Sequence, residues 1–253
     1  MIDALGGTTE RFYYNSFSYV EFRFGVEEPV ATFFLETPKQ LLKRNTKGYF
    51  DYHFIHGMNV FTEKTAVHLL SPKNNAVLFD SKIGLFEKLY TQVQTKQIDA
   101  YTNSTLDTVF EASVLAPIIP NNYKLIGYKM KEVSFFDTHR FIKESRILSL
   151  CPLVVDKENP TDTIELFWLY YPSIRELLAT IKTSSPNNPH IQHIDDLFFF
   201  QDFDAQLFSE ISYSGQKTTP SKIRAKETER FKLDWLQLEH DCWQYFAWPS
   251  DDY

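Results

Sequence analysis

Glycine is scarce in this chain of 253 residues: 8 in all, about 3%, against a usual level near 7%. Few glycines leave few places where backbone could pass close to a phosphate or hold a nucleophile on a strained turn. In keeping with that, the chain has no P-loop, dinucleotide fingerprint, G-x-S-x-G or H-E-x-x-H motif. Cysteine is scarcer still. Cys151 and Cys242 are 91 positions apart, too few for a zinc site unaided and too distant for a C-x-x-C redox pair. Their apolar neighbours Leu150, Pro152 and Trp243 point to buried free thiols, with a disulfide left open for an oxidising compartment. No run of 18 apolar residues is present, so no membrane-spanning helix is expected. A net charge of −7 leaves no basic excess for nucleic acid. Met1 to Gly7 carries neither a basic nor an apolar leader region, so no export signal is expected in the chain as given.

What the chain has in quantity is aromatics: 23 Phe, 14 Tyr and 4 Trp. Rings in such numbers build a broad core first, and beyond that they anchor protein interfaces.

Without repeats or low-complexity linkers, the elements follow from hydrophobic periodicity. Phe17–Val26 and Val30–Leu35 read as strands, and Tyr49–Ile55 as another. Thr37-Pro38 should open a short helix ending at Gly48. After Asp80, the spacing of Ile83, Phe86, Leu89, Tyr90 and Val93 predicts an amphipathic helix, and Ile98–Thr102 an extended piece. Ile126, Tyr128 and Met130 alternate with polar residues, and Val133 and Phe135 continue in the opposite phase. That flip predicts a β-bulge near Lys131-Glu132. Phe141–Leu150 returns as a second strand. Thr163–Tyr171, apolar on both faces, reads as a third and central one. A helix follows Pro172, then a Pro/Asn loop over 184–189, then a helix from Asp195-Asp196 to about Ile211. The longest helix starts at Thr219-Pro220 and runs to about Phe246. One stripe on it is Phe231, Trp235, Leu238, Cys242 and Tyr245; Leu236 and Trp243 mark a second face, so it should be covered on two sides.

Candidate chemistry is thin. His190, His193, Asp195 and Asp196 offer metal-ligand types at short spacing, as do His53 and His56, but a metal site needs three or four ligands in fixed geometry. The first cluster keeps a metal-dependent hydrolase open as an alternative. Glu239-His240-Asp241 has triad composition, yet helix neighbours splay about 100° apart and cannot act as nucleophile, base and orienter. Asp137 with His139 and Arg140 reads as turn chemistry, and Glu144, Arg146 and Glu165 as cross-strand ion pairs.

The second half carries an ordered series of strings. Tyr128-Lys129-Met130-Lys131-Glu132 leads to Phe135-Phe136-Asp137 and Arg140, and Arg146-Ile147-Leu148 to Cys151-Pro152-Leu153. Glu165 through Pro172 is followed by Arg175 and Leu178-Ala179, then Asp195-Asp196-Leu197-Phe198 and Glu239 through Trp243. In this order they resemble the GldN/PorN family of the gliding-motility and type IX secretion machinery. The likeness is strong from Ile126 to Trp243, weaker over Asn59–Phe110, and absent before. The loop at 184–193 and the segment Ser212–Gln216 depart from the family pattern, as a divergent member or paralogue would. The resemblance implies a non-catalytic periplasmic subunit with no cofactor. It would assemble into a ring with an outer-membrane lipoprotein of the GldK/PorK kind, beside the GldL and GldM motor subunits.

The expectation is therefore an α+β fold. Residues 1–56 form a strand-rich segment of unknown role, and residues 57–253 a domain built on an antiparallel β-meander packed by helices, best matched over 126–243. Trp168, Tyr171, Arg175 and Trp243 are the candidate partner anchors, since interface energy concentrates in buried aromatic and arginine side chains. A generic periplasmic module that binds peptide or lipid is a further alternative, which a deep apolar pocket would favour.

Overall fold

The structure, a computed structural model, describes residues 18–21, 31–34, 43–52, 55, 57–111, 122–140, 142–158, 161–183, 189–212 and 215–247. The strands β1 (Ser18–Glu21) and β2 (Ala31–Phe34) pair antiparallel as a two-stranded ribbon. The remaining strands form one eight-stranded antiparallel sheet. They are β3 (Val60–Leu70), β4 (Ala100–Tyr101), β5 (Tyr123–Asp137), β6 (Ile142–Asp156), β7 (Thr163–Glu165), β8 (Trp168–Tyr170), β9 (Gln206–Ser212) and β10 (Gly215–Thr218). Their order across the sheet is β10-β9-β3-β5-β6-β8-β4, with β7 also on β6. Four helices accompany them: α1 (Leu85–Gln94), α2 (Tyr171–Leu178), α3 (Ile194–Phe199) and α4 (Arg224–Ala247).

The long pair β5–β6 is the spine of the sheet. Its register slips between Lys131 and Glu132, where the alternation changes phase, but the extra residue sits on the facing strand: Lys131 opposes Ser149 and Glu132 opposes Ile147, leaving Leu148 over. A second slip falls between Leu125 and Gly127. Gly127 lies so close to β3 that an added Cβ would meet the Leu70 carbonyl oxygen at 3.0 Å, so a side chain there would push the two strands apart.

Thr163–Tyr171 is not one central strand. It breaks at Leu166-Phe167, which turn into the core; β7 and β8 lie along β6, and β8 passes its outer edge to β4. Nor does the helix after Asp195-Asp196 reach Ile211. It ends at Phe199, and Leu207–Ile211 enters the sheet as β9, whose register on β3 slips beside Phe208. Gly215, at φ +115°, opens the return strand β10. No helix leads up to Gly48 within residues 43–48; that stretch is a turn closed by a bridge between Arg44 and Phe50, and Thr37-Pro38 lies outside the described residues. The strand expected over Tyr49–Ile55 is reduced to that bridge among the described residues.

Alternation along β3 sends its side chains to opposite faces. Ala66 packs with Leu207 under Phe231 and Trp235 of α4, while Val67 packs with Cys151 and Trp168. The largest cluster gathers Leu70, Tyr128, Met130, Leu150 and Leu169 from the sheet with Leu85 and Leu89 of α1, Ile174 and Leu178 of α2, and Ile194 and Phe198 of α3. A side chain of this kind contributes about 1.5–3 kcal/mol when fully buried, so this cluster dominates the fold's stability.

Candidate partner-binding surface

Among the described residues, no group of three His, Cys, Asp or Glu side chains could hold a metal. The reason is visible at α3. Tyr171 and Arg175 on α2 face Asp195, whose Oδ1 accepts from the Tyr171 hydroxyl at 2.9 Å and from Arg175 Nε at 3.0 Å, while Oδ2 accepts from Arg175 Nη2 at 2.8 Å. Arg175 Nη2 also donates to the Phe50 carbonyl at 2.6 Å, and its guanidinium lies 4.2 Å from the Tyr49 ring centroid. Asp196 is taken the same way from the other side. Arg44 Nη1 and Nη2 donate to its two oxygens at 2.5 and 2.8 Å, and the backbone N–H groups of Gln192 and His193 donate to Oδ2.

The charges follow the contacts. Burial raises the Asp195 carboxyl, opposed by Arg175 and Tyr171. Burial also opposes ionisation of Asp196, but Arg44 and the two backbone donors outweigh it and hold that carboxyl below its ordinary value. Both acids have no exposed surface. They tie α3 to α2 and to the segment around Arg44, leaving no lone pairs arranged for a metal. His190 is exposed and His193 begins α3, and His53 and His56 lie outside the described residues.

Other polar pairs are equally structural. Asp137 Oδ2 accepts from Arg140 Nε at 2.6 Å, Arg140 continues to Glu144, and Arg146 Nε donates to Glu144 at 2.7 Å, so a chain of charges stiffens the β5–β6 turn. Glu165 does not pair with Arg146 as sequence proximity of strands suggested. It receives Lys129 from β5 and Trp168 Nε1 at 3.0 Å. His240 and Asp241 sit on the outer surface of α4, with His240 Nδ1 3.7 Å from the carboxylate, and build no triad. Cys151 and Cys242 are buried and unpaired.

The four candidate anchors separate. Trp168, Tyr171 and Arg175 are 3%, 0% and 5% exposed, enclosed by their own chain. Contact of these three with a partner would require the fold to open. Trp243 is half-buried, packed beside Phe136, Leu238 and Cys242 near the end of α4. Around it lies the more accessible material. Leu233 is 55% exposed, Leu236 58% and Tyr245 72%. Tyr245, although it continues the buried stripe in spacing, projects past the core and stacks on Phe61 of β3, centroids 6.3 Å apart. Phe61 is itself 54% exposed. Leu233, Leu236 and His240 recur at intervals of 3 and 4, a second stripe turned away from Phe231, Trp235 and Cys242, with half-buried Trp243 at its edge beside Phe136. The pairing of Leu236 with Trp243 signalled that stripe; Leu233 belonged to it and Phe61 could not be connected to it by spacing.

Two surface hollows are present, the second of which borders this surface through Phe61. One of about 230 Å3 is lined by Glu87, Lys88, Thr91, Gln92 and Leu177; the other, about 520 Å3, is formed by Gly57 and residues 60–63 alone. Neither is the deep apolar pocket that a peptide- or lipid-binding module needs.

The family described as "Gliding motility associated protein GldN" matches residues 67–244, about seven-tenths of the chain. The chain belongs to the GldN family. Its members are components of the gliding and type IX secretion machinery. The matched span of this GldN-family chain runs from the middle of β3 nearly to the end of α4, and so takes in most of the sheet, the Arg175–Asp195 pair and the exposed stripe, but not Arg44. No curated protein matches the chain. Among the described residues no helix is long and apolar enough to cross a membrane.

Proposed function

We propose that this GldN-family chain is a non-catalytic ring or adaptor subunit of the type IX secretion and gliding machinery. In this reading it works in the periplasm, held at the outer membrane by a lipoprotein of the GldK/PorK kind, beside GldL and GldM motor subunits. The observation that carries the reading is the outer side of α4. Leu233 and Leu236 on that side, and Tyr245 stacked on Phe61 of β3 near the end of the helix, put large apolar side chains in water, as a partner-binding surface does. Support comes also from the acids and histidines that resembled an active site: Asp195 and Asp196 are consumed by Arg175 and Arg44.

Trp243 is the anchor in this proposal, while Trp168, Tyr171 and Arg175 act behind the surface by fixing the core. Residues 57–253 form the assembly domain, and Arg44 and Phe50 clasp it from the preceding segment. Replacing Trp243 with alanine tests the reading: capture of the outer-membrane lipoprotein should weaken while the thermal transition persists. Full capture by Trp243→Ala would remove Trp243 as anchor, and turnover of a substrate by the purified chain would replace the structural reading with a catalytic one.

A further inference from the structure

We infer that the outer stripe of α4 pairs with the same stripe of a second copy of this chain, the two helices running antiparallel about a two-fold axis. This inference rests on the reading of α4 as an interaction surface and assigns its Leu233–Leu236 stretch to a second copy, leaving Trp243 near the end of the helix as the lipoprotein anchor. The stripe has the 3-4 spacing of a helix–helix seam: Glu229, Leu233, Leu236, His240 and Trp243, with Lys226 one step earlier. The opposite side of the helix is already filled by the sheet, through Phe231, Trp235 and Cys242. The seam is therefore the side that remains open to a neighbouring helix.

The order of charges along the seam selects the partner and its direction. Place the axis between Asp234 and Trp235 of the two antiparallel helices. Leu233 then faces Leu236 of the second copy, and Leu236 faces its Leu233. Glu229 faces the other copy's His240. Along the flank of the seam, Lys232 comes beside Glu239 of the second copy. Every one of these contacts occurs twice by symmetry, as an isologous interface requires. Flank to flank on the other side, Arg230 meets the neutral Gln237, so no like charges oppose each other there.

The parallel alternative fails on the same residues. It would set Lys226 on Lys226 and Glu229 on Glu229 along the seam, where like charges repel. Lys226, Glu229, Lys232, Leu233 and Leu236 are all exposed on the single chain, so no rearrangement of the fold is needed to bring them together. The flank pair Lys232–Glu239, made twice, and Glu229 opposite His240 make α4 complementary to itself reversed.

Sedimentation equilibrium of the full purified chain over a concentration series tests this, with lipoprotein capture by the same preparation measured alongside. A concentration-dependent dimer is expected. Lys232→Glu or Glu239→Lys alone should weaken it by roughly tenfold or more, since each change places like charges together twice. The double variant with both changes should restore it, because the pair is exchanged rather than lost. Leu236→Glu should give monomer with an unchanged thermal transition. A chain that stays monomeric throughout overturns the pairing, and if it still captures the lipoprotein, only the pairing falls. A dimer indifferent to these variants also overturns it, because association then uses another surface. A dimer that obeys the charge swap but captures no lipoprotein upholds the pairing and removes that partner from the proposed function.

Discussion

Arg175 grips Asp195 with two parallel hydrogen bonds, at 3.0 and 2.8 Å, where neither side chain retains more than a few percent of its surface. A fork-to-fork pair in such a place is costly to break and of little use to form piecemeal, because removing one member leaves a charge stranded without water. Its effect is to fix the angle between α2 and α3, which cover the main core. The anchor-like arginine of the sequence is thus an internal strut.

Arg175→Met should therefore destabilise the fold by about 3–5 kcal/mol, as removal of one partner from a buried ion pair does. Arg175→Met combined with Asp195→Leu should recover a large part of that loss, because no lone charge remains. Chemical denaturation of the two variants checks this. Equal loss in single and double variants would contradict it.

A chain beginning at residue 57 lacks Arg44 and Phe50. Asp196 would keep its backbone donors but lose both guanidinium bonds, and Arg175 would lose the carbonyl of Phe50 and the ring of Tyr49. The shortened chain should unfold at a lower temperature than the full one at neutral pH, and the gap between them should narrow in acid. Arg44 helps hold the Asp196 carboxyl below its ordinary value of 3.8; that stability is present above the unfolded value and fades as pH falls through the folded one. Acid titration followed by circular dichroism gives the comparison.

His68 supplies a second pH response in a different range. It lies in the sheet beneath α4, edge-on to Phe231 at 5.9 Å, and neither ring nitrogen has a hydrogen-bond partner. Burial lowers its pKa below 6.5; Glu132 pulls upward and Lys232 downward. A folded value below the unfolded one means the stability is complete above about pH 6.5 and declines as pH drops beneath it. His68→Leu should flatten the decline between pH 6.5 and 5, measured by urea midpoints across that range.

The two thiols should be silent in the native state. Cys151 has no exposed surface and Cys242 only 2%, and burial raises both. A thiol reagent should label neither until the chain unfolds, and reductant should leave the melting temperature unchanged. Rapid labelling of Cys151 under native conditions would place the β6 face incorrectly.

How much of this was readable from the chain varies with the range of the interactions. The strands β5 and β6 were legible because alternation is local, and the phase change located the bulge, although Leu148 on the opposite strand carries the extra residue. Strand β9 was hidden because adjacent apolar Leu207 and Phe208 resemble helix spacing, and the slip at Phe208 breaks the alternation. After Val60-Phe61, strand β3 continues with the polar run Thr62-Glu63-Lys64-Thr65, which carries little hydrophobic signal. The ion pair between Arg44 and Asp196 joins residues 152 positions apart, so no window along the sequence could reveal it. Without that pairing, the Asp195-Asp196 dyad and its histidines look like ligands. The second face of α4 was visible in the seven-residue spacing of Leu236 and Trp243, because helical periodicity records both faces at once.

The most direct measurement is capture of the GldK/PorK-type lipoprotein by the purified chain, compared between the natural sequence and Trp243→Ala. The natural chain should retain the lipoprotein through washing, and the variant should lose most of it while melting at the same temperature. Equal retention by both, or none by either, would contradict a role for the outer side of α4 in holding the assembly together.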